Sequence, residues 1–486
     1  MERSSVTSSE AGNRSGPDRE ARDSSSPTST PESAIQSSSE LKRRLTQRQL
    51  TMMTIGGAIG VGLFLGSSVT IRLAGPGVIL SYLLSAIIAV IVAYSIAEMA
   101  VVHPVAGSFG VYAQTYLNEW SGFAVRATYT FVQVIAIGAE VTAVAIYFSM
   151  WFPTVPQWIW VVSLSVGLVA LNAMQVSKFG EFEYWFAIIK VVAIVAFILL
   201  GLFLIFRRGP TPASAFSNLT SHGGFLPHGM KGVWLAMTLT LTSYMGVEIL
   251  GVSAGEAAQP EITIPRAMRT VSIRLILFYV LSMVVMLSVT PWDGMGSGVT
   301  GSPFVLTFAA TGIPFAAGIM NLVVITAALS SGNTNLYLTT RTLFSLSRDG
   351  YVGEALGRLS SKGVPYLALF ASTGGMVAAI LLAIFAPGRA FLLLYGVAVA
   401  GMFFVWIVIL LAHLVFRRSL GHARVALLPI HLPLSPFSQM IALTALAAIA
   451  ISTFYVEGLQ YSVPSFLPFL LVITLFYWAL KRRNSK

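Results

Sequence analysis

Twelve apolar runs, each near the ~20 residues that span a hydrocarbon core, follow one another along most of the 486-residue chain. The first six cover about 50–71, 77–102, 123–151, 156–175, 182–206 and 233–256. The second six cover about 271–291, 313–338, 364–386, 390–416, 434–455 and 463–480, and the eighth can continue through Arg341 to Leu346. The pattern predicts an all-α polytopic membrane protein with twelve transmembrane helices. Residues 1 to about 40 carry Ser, Thr, Pro, Gly and charge with almost no apolar side chain, so a disordered cytoplasmic tail is expected there. That tail has no apolar core of about 7–15 residues and does not read as a cleavable signal peptide. Leu41-Lys42-Arg43-Arg44-Leu45 forms a short basic amphipathic lead-in, and 41–486 reads as one membrane domain.

Two runs are interrupted. The first carries Ile55-Gly56-Gly57-Ala58-Ile59-Gly60-Val61-Gly62-Leu63-Phe64. Each glycine costs a helix about 1 kcal/mol relative to Ala, and in a bilayer the freed backbone groups find no water. Two readings are open here. Gly56/Gly60 and Gly62/Gly66 are small-xxx-small pairs suited to close helix packing. Alternatively the helix is broken, and its half-helix N-terminus offers free N–H groups and partial positive charge to a carboxylate. The sixth run carries Thr242-Ser243-Tyr244-Met245-Gly246-Val247-Glu248, followed by Gly251 and Gly255. Interrupted helices five runs apart predict a 5+5 inverted repeat with a site where broken helices 1 and 6 meet. The repeats would cover about 50–206 and 233–416, with two extra helices at about 434–480.

Composition agrees with this reading. Hydrophobic residues make up 55% and charged residues 10% of the chain, and mean hydropathy is +0.78, a balance foreign to soluble domains of this length. The net charge of +11 does not point to nucleic acid, because the basic residues lie between apolar runs. With the N-terminus inside, the inner segments hold 19 Lys and Arg against 5 outside, which places both termini in the cytoplasm. Arg207-Arg208 is the one local violation. There is no cysteine, so disulfides and thiolate chemistry are excluded.

Charged side chains within a span are functional candidates by default. Glu140, Lys190 and Glu248 stand mid-span, and Glu98 lies nearer an inner end. Lys190 has no other charge within six residues, and it serves either as half of a structural ion pair with Glu140 or Glu248 or as a titrating cation. Ser330-Ser331-Gly332-Asn333-Thr334-Asn335-Leu336-Tyr337 is dense in hydroxyls and amides, which interhelical hydrogen bonding largely explains. Tyr395-Gly396 is a candidate gate. The six histidines show neither metal spacing nor a triad.

These residues resemble a known family. The glycine run with Leu65-Gly66-Ser67 and Ala74-Gly75-Pro76, then Ala97-Glu98-Met99-Ala100, and Gly180-Glu181-Phe182-Glu183-Tyr184-Trp185 leading to Lys190 are similar to bacterial amino acid permeases of the amino acid–polyamine–organocation (APC) superfamily. Ser243 to Glu248, Pro265-Arg266-Ala267, Pro291-Trp292 and Arg341 to Arg348 extend the resemblance over about 41–480. It implies a leucine-transporter-type fold and amino acid uptake across the plasma membrane, usually with a proton. By position, Gly57, Ala58, Gly60, Val61 and Gly62 would meet the substrate carboxylate through their backbone. Thr242, Ser243, Tyr244, Gly246 and Glu248 would hold the amino group and line the pocket. Lys190 would replace the sodium of sodium-coupled relatives, with Glu140 as an alternative proton carrier. Ala398 and Val397 leave no polar group where some members have a serine. No cofactor or metal is expected beyond the coupling proton, and the partners are an amino acid and the bilayer. Exchange instead of symport, or sensing without transport, is compatible with the same sequence. A channel would want a ring of like charge and an enzyme a catalytic cluster, and neither is visible.

Overall fold

The computed structural model describes residues 59–105, 108–173, 176–207, 216–252, 259–295, 302–309, 312–360 and 364–484. The tail and lead-in expected before residue 50, and the glycine run as far as Ala58, lie outside the described residues. Among those described, the regular structure is helical throughout. The first repeat-length stretch contains α1 (Val61–Phe64), α2 (Gly66–Ala74), α3 (Val78–Val102), α4 (Ser108–Tyr116), α5 (Glu119–Phe148), α6 (Gln157–Asn172) and α7 (Val176–Arg207). Next come α8 (Gly229–Ser243), α9 (Ile249–Val252), α10 (Pro260–Val289), α11 (Pro303–Ala309) and α12 (Ala316–Arg348). The chain ends with α13 (Tyr366–Ala371), α14 (Gly374–Phe385), α15 (Ala390–Leu420), α16 (His422–Ala426), α17 (Phe437–Ser452) and α18 (Ser462–Asn484).

Nine helices among the described residues are long and apolar enough to cross a membrane. The difference from twelve runs has local causes. The first run passes through Gly75–Gly77 into the second, so that 66–102 forms one continuous helical stretch. The fourth is a helix of 16 residues, and the sixth is divided between α8 and α9. Hydropathy also misplaced one start. α10 begins at Pro260, whose missing N–H suits the first helical turn, and its early turns carry the exposed Arg266 and Arg269 that lower apolarity.

α5 is the axis of the bundle. It packs on α12, α15, α14 and α4, and 67% of its most apolar stretch is buried, against 17% for α18. Both are apolar, so hydropathy alone does not separate the central helix from the peripheral one.

Polar anchors tie the ends together. The wholly buried Glu98 carboxylate accepts from His413 Nε2 at 2.9 Å, from Arg417 Nε at 2.9 Å and from the Leu432 N–H. Gln439 Nε2 donates to His413 Nδ1 at 3.1 Å, which leaves the ring proton on Nε2 facing Glu98. Arg126 binds Asp349, Gln114 Oε1 and the Gly122 carbonyl, joining α5 to the residue after α12. Removing one partner of a buried pair leaves an uncompensated charge, at a cost of about 3–5 kcal/mol. Glu98→Ala is therefore expected to lower the thermal unfolding midpoint of the purified protein by several degrees. A midpoint within one degree of wild type, by scanning fluorimetry in detergent, would show that the anchor carries no stability.

Candidate functional site

In the first run the described chain is non-helical at Ile59 and Gly60 and turns helical at Val61, and the sixth run is interrupted where the sequence places the break. Gly60 is extended (φ −128°, ψ −157°) and starts α1 without a side-chain cap. α8 ends at Ser243, a turn occupies 244–248, and α9 resumes at Ile249. Within that turn Gly246 has φ +109°, a conformation that favours glycine. Its N–H donates to both oxygens of Glu248 at 3.0 Å, so the carboxylate folds back to satisfy the break. The Tyr279 hydroxyl donates to the Ser243 carbonyl at 2.7 Å, and the Tyr244 hydroxyl to the Tyr82 carbonyl at 3.0 Å. The Tyr244 and Tyr279 ring centroids lie 4.7 Å apart. This aromatic brace holds the break from behind.

The helix start after Gly60 and the break in the sixth run line one cavity of about 60 Å³. The first helix contributes Gly60, Val61 and Gly62, and the sixth run contributes Thr242, Ser243, Met245, Gly246 and Glu248. α5 presents Gln133, Ala136 and Glu140, one stripe at spacings of three, four and seven residues. Ser331 and Asn335 on α12, and Tyr395, Ala398 and Val399 on α15, complete the wall. The Tyr395 hydroxyl shares a hydrogen bond with Thr242 and covers Gly62.

The Glu140 carboxylate faces the Ser331 hydroxyl and the Val61 N–H, and the charge of Lys190 acts on it. A Cβ on Gly60 would stand 2.7 Å from both Glu140 Oε1 and Ser331 Oγ. One on Gly62 would meet the Tyr395 hydroxyl at 2.7 Å and Ser243 Cα at 3.1 Å. At Gly66 nothing lies within 3.8 Å, so close packing does not explain the Gly62/Gly66 pair.

The structure thus brings together Gly60, Val61, Gly62, Glu140, Thr242, Ser243, Gly246 and Glu248. Tyr244 departs from the expectation: its side chain sits in the brace, outside the cavity lining, because the turn after Ser243 directs it toward α3 and α10. Lys190 is fully buried on α7, which packs on α12 and α10, and it is not a lining residue. Gly57 and Ala58 lie outside the described residues. The run on α12 divides. Asn333 accepts from Asn172 at 2.7 Å and serves helix packing, whereas Ser331 and Asn335, one turn apart, face the cavity. Gln133 escaped the sequence reading, although its spacing of seven from Glu140 on an apolar helix was the available signal.

A family model described as "Amino acid permease" matches residues 49–484. The chain belongs to the amino acid permease family. It is 42% identical over 418 residues to an uncharacterized amino acid permease, YtnA, of Bacillus subtilis, which covers 86% of this chain and 90% of that relative. It is 38% identical over 449 residues to the aromatic amino acid transport protein AroP of Escherichia coli K12, covering 92% of this chain and 97% of AroP. AroP of Salmonella typhimurium is 39% identical over 426 residues, covering 87% and 92%. The permease is accordingly a multi-pass membrane transporter of amino acids and not an enzyme.

Proposed function

We propose that this permease imports an amino acid by proton symport, with alternating access to the cavity between its two interrupted helices. The observation that carries this reading is the convergence of the helix start after Gly60 and the break after Ser243 on one space with both polar and apolar lining. On the α1 side, first-turn N–H groups after Gly60 suit a carboxylate. On the α8 side, the hydroxyls of Thr242 and Ser243, and carbonyls released by the break, suit an ammonium group. The Glu140 and Lys190 pair, buried beside this space, is the proposed seat of the coupled proton. Protonation that biases inward- and outward-facing states differently is all that coupling requires. A leucine-transporter-type arrangement of twelve spans, with 5+5 inverted repeats, accounts for two interruptions five runs apart. The aromatic amino acid transport for which the AroP relatives are named favours an aromatic amino acid, and Ala136, Ala398 and Val399 give the lining apolar side chains.

The test is uptake into proteoliposomes with the pH gradient set independently and sodium replaced by choline. An imposed pH gradient is expected to drive labelled aromatic amino acid above equilibrium, without any sodium dependence. Accumulation that needs sodium, or that ignores the pH gradient, contradicts the coupling. Topology offers a separate check. Both termini and the Asp349 turn are expected to face the cytoplasm of the cell that carries this protein in its inner membrane. In this cysteine-free chain, Asp349→Cys should resist an impermeant thiol reagent applied to intact cells. Labelling there from outside would reverse the orientation.

A further inference from the structure

We infer that the end of the cavity framed by Gln133 and Asn335 is a side-chain subsite selecting amino acids whose long apolar side chain ends in a neutral hydrogen-bonding group. Tyrosine is such a side chain, and phenylalanine is the same body without the terminal group. The inference rests on the reading of the cavity as the amino acid site.

Gln133 is 6% exposed and Asn335 7% exposed, and both line the cavity. Gln133 Nε2 donates to the Tyr129 hydroxyl at 3.0 Å and reaches Asn335 Oδ1 at a long 3.4 Å. Among the described residues, Gln133 Oε1 and Asn335 Nδ2 make no hydrogen bond. The two amides therefore leave one acceptor and one donor turned to the same space, and exchanging O for N in either assignment still leaves capacity for both. Simple helix pairing does not account for this. Where α12 needs an interhelical amide contact, Asn333 and Asn172 close one at 2.7 Å. Buried amides with unused capacity are costly unless something completes them.

Position gives the shape of what completes them. Gln133 lies seven residues from Glu140 along α5, or about 10 Å at 1.5 Å per residue. Glu140 stands beside Gly60, at the level proposed for the substrate backbone. Ala136 lies between Gln133 and Glu140 on α5, and Met245, Ala398 and Val399 add further apolar side chains to the same lining. A ligand held by its backbone at the upper level thus presents an apolar body to these residues and its far end to the amides. Gln133 and Asn335 are uncharged amides, which suit a neutral hydrogen-bonding terminus.

Equilibrium binding of tyrosine, phenylalanine and lysine to the purified full-length permease tests this. Wild type is expected to bind tyrosine at least about tenfold more tightly than phenylalanine, since a site built for a hydroxyl discriminates against the analogue lacking it. Gln133→Leu and Asn335→Leu should each bring the ratio toward unity, chiefly by weakening tyrosine and not phenylalanine. The wild-type ratio decides even where a variant fails to fold. Phenylalanine bound as tightly as tyrosine by wild type, an unchanged ratio in both variants, or lysine displacing tyrosine best would each overturn the subsite. Failure to bind any amino acid would sink the cavity reading, and the subsite with it.

Discussion

Gly62→Ala is expected to reduce substrate affinity by about 10- to 100-fold, while Gly66→Ala leaves it within about twofold. The two changes add the same methyl group, four residues apart, on one run. At Gly62 it would stand 2.7 Å from the Tyr395 hydroxyl and 3.1 Å from Ser243 Cα. The Tyr395 side chain can move, but Ser243 Cα is backbone at the edge of the second break. The methyl therefore separates the two interruptions and displaces the groups proposed to hold the amino acid. Overpacking of this kind typically costs about 1–3 kcal/mol, a range that spans the expected loss of affinity. At Gly66 the nearest atom is 3.8 Å away, an ordinary contact. Gly60→Ala should behave like Gly62→Ala, because its methyl would press on Glu140 Oε1 and Ser331 Oγ. Labelled amino acid binding to purified variants measures all three. Equal effects at positions 62 and 66 would mean that helix spacing, not the cavity, governs the loss.

The second large effect concerns Lys190. With one proton per substrate, a one-unit pH gradient sustains about tenfold accumulation, since one unit is worth about 1.4 kcal/mol. Lys190→Ala is expected to abolish that accumulation, leaving internal and external substrate equal. Lys190→Arg should abolish it as well, because arginine keeps the charge but does not release its proton. The arginine variant separates coupling from a purely structural ion pair with Glu140, which a permanent charge would preserve. Tenfold accumulation in Lys190→Arg would remove the proton from this residue and pass it to Glu140.

Much of the site was legible in the sequence because interruptions of a membrane helix are conspicuous. Glycines at 60 and 62, and the Thr242 to Glu248 run, break long apolar patterns that nothing else disturbs. Residues that keep the pattern were harder to read. Gln133 is one uncharged polar side chain on a long apolar helix, and which of its faces meets the cavity follows from tertiary packing. Tyr244 lies inside a polar run, yet the turn after Ser243 sends its ring outward into the Tyr82 and Tyr279 brace. Glu248 looked like a ligand, and its carboxylate instead caps the break from within, although it still lines the cavity. Neither the bundle axis nor the periphery could be assigned from hydropathy, since α5 and α18 are both apolar and differ mainly in what surrounds them.

The amino acid is expected to lie between Gly60 and the break after Ser243. A structure of the purified permease with a bound aromatic amino acid tests this most directly. Its carboxylate is expected within hydrogen-bonding distance, about 2.9 Å, of the first-turn N–H groups after Gly60, with its ammonium group against Thr242 and Ser243. An amino acid seated elsewhere, with this cavity unchanged and closed, would contradict the account.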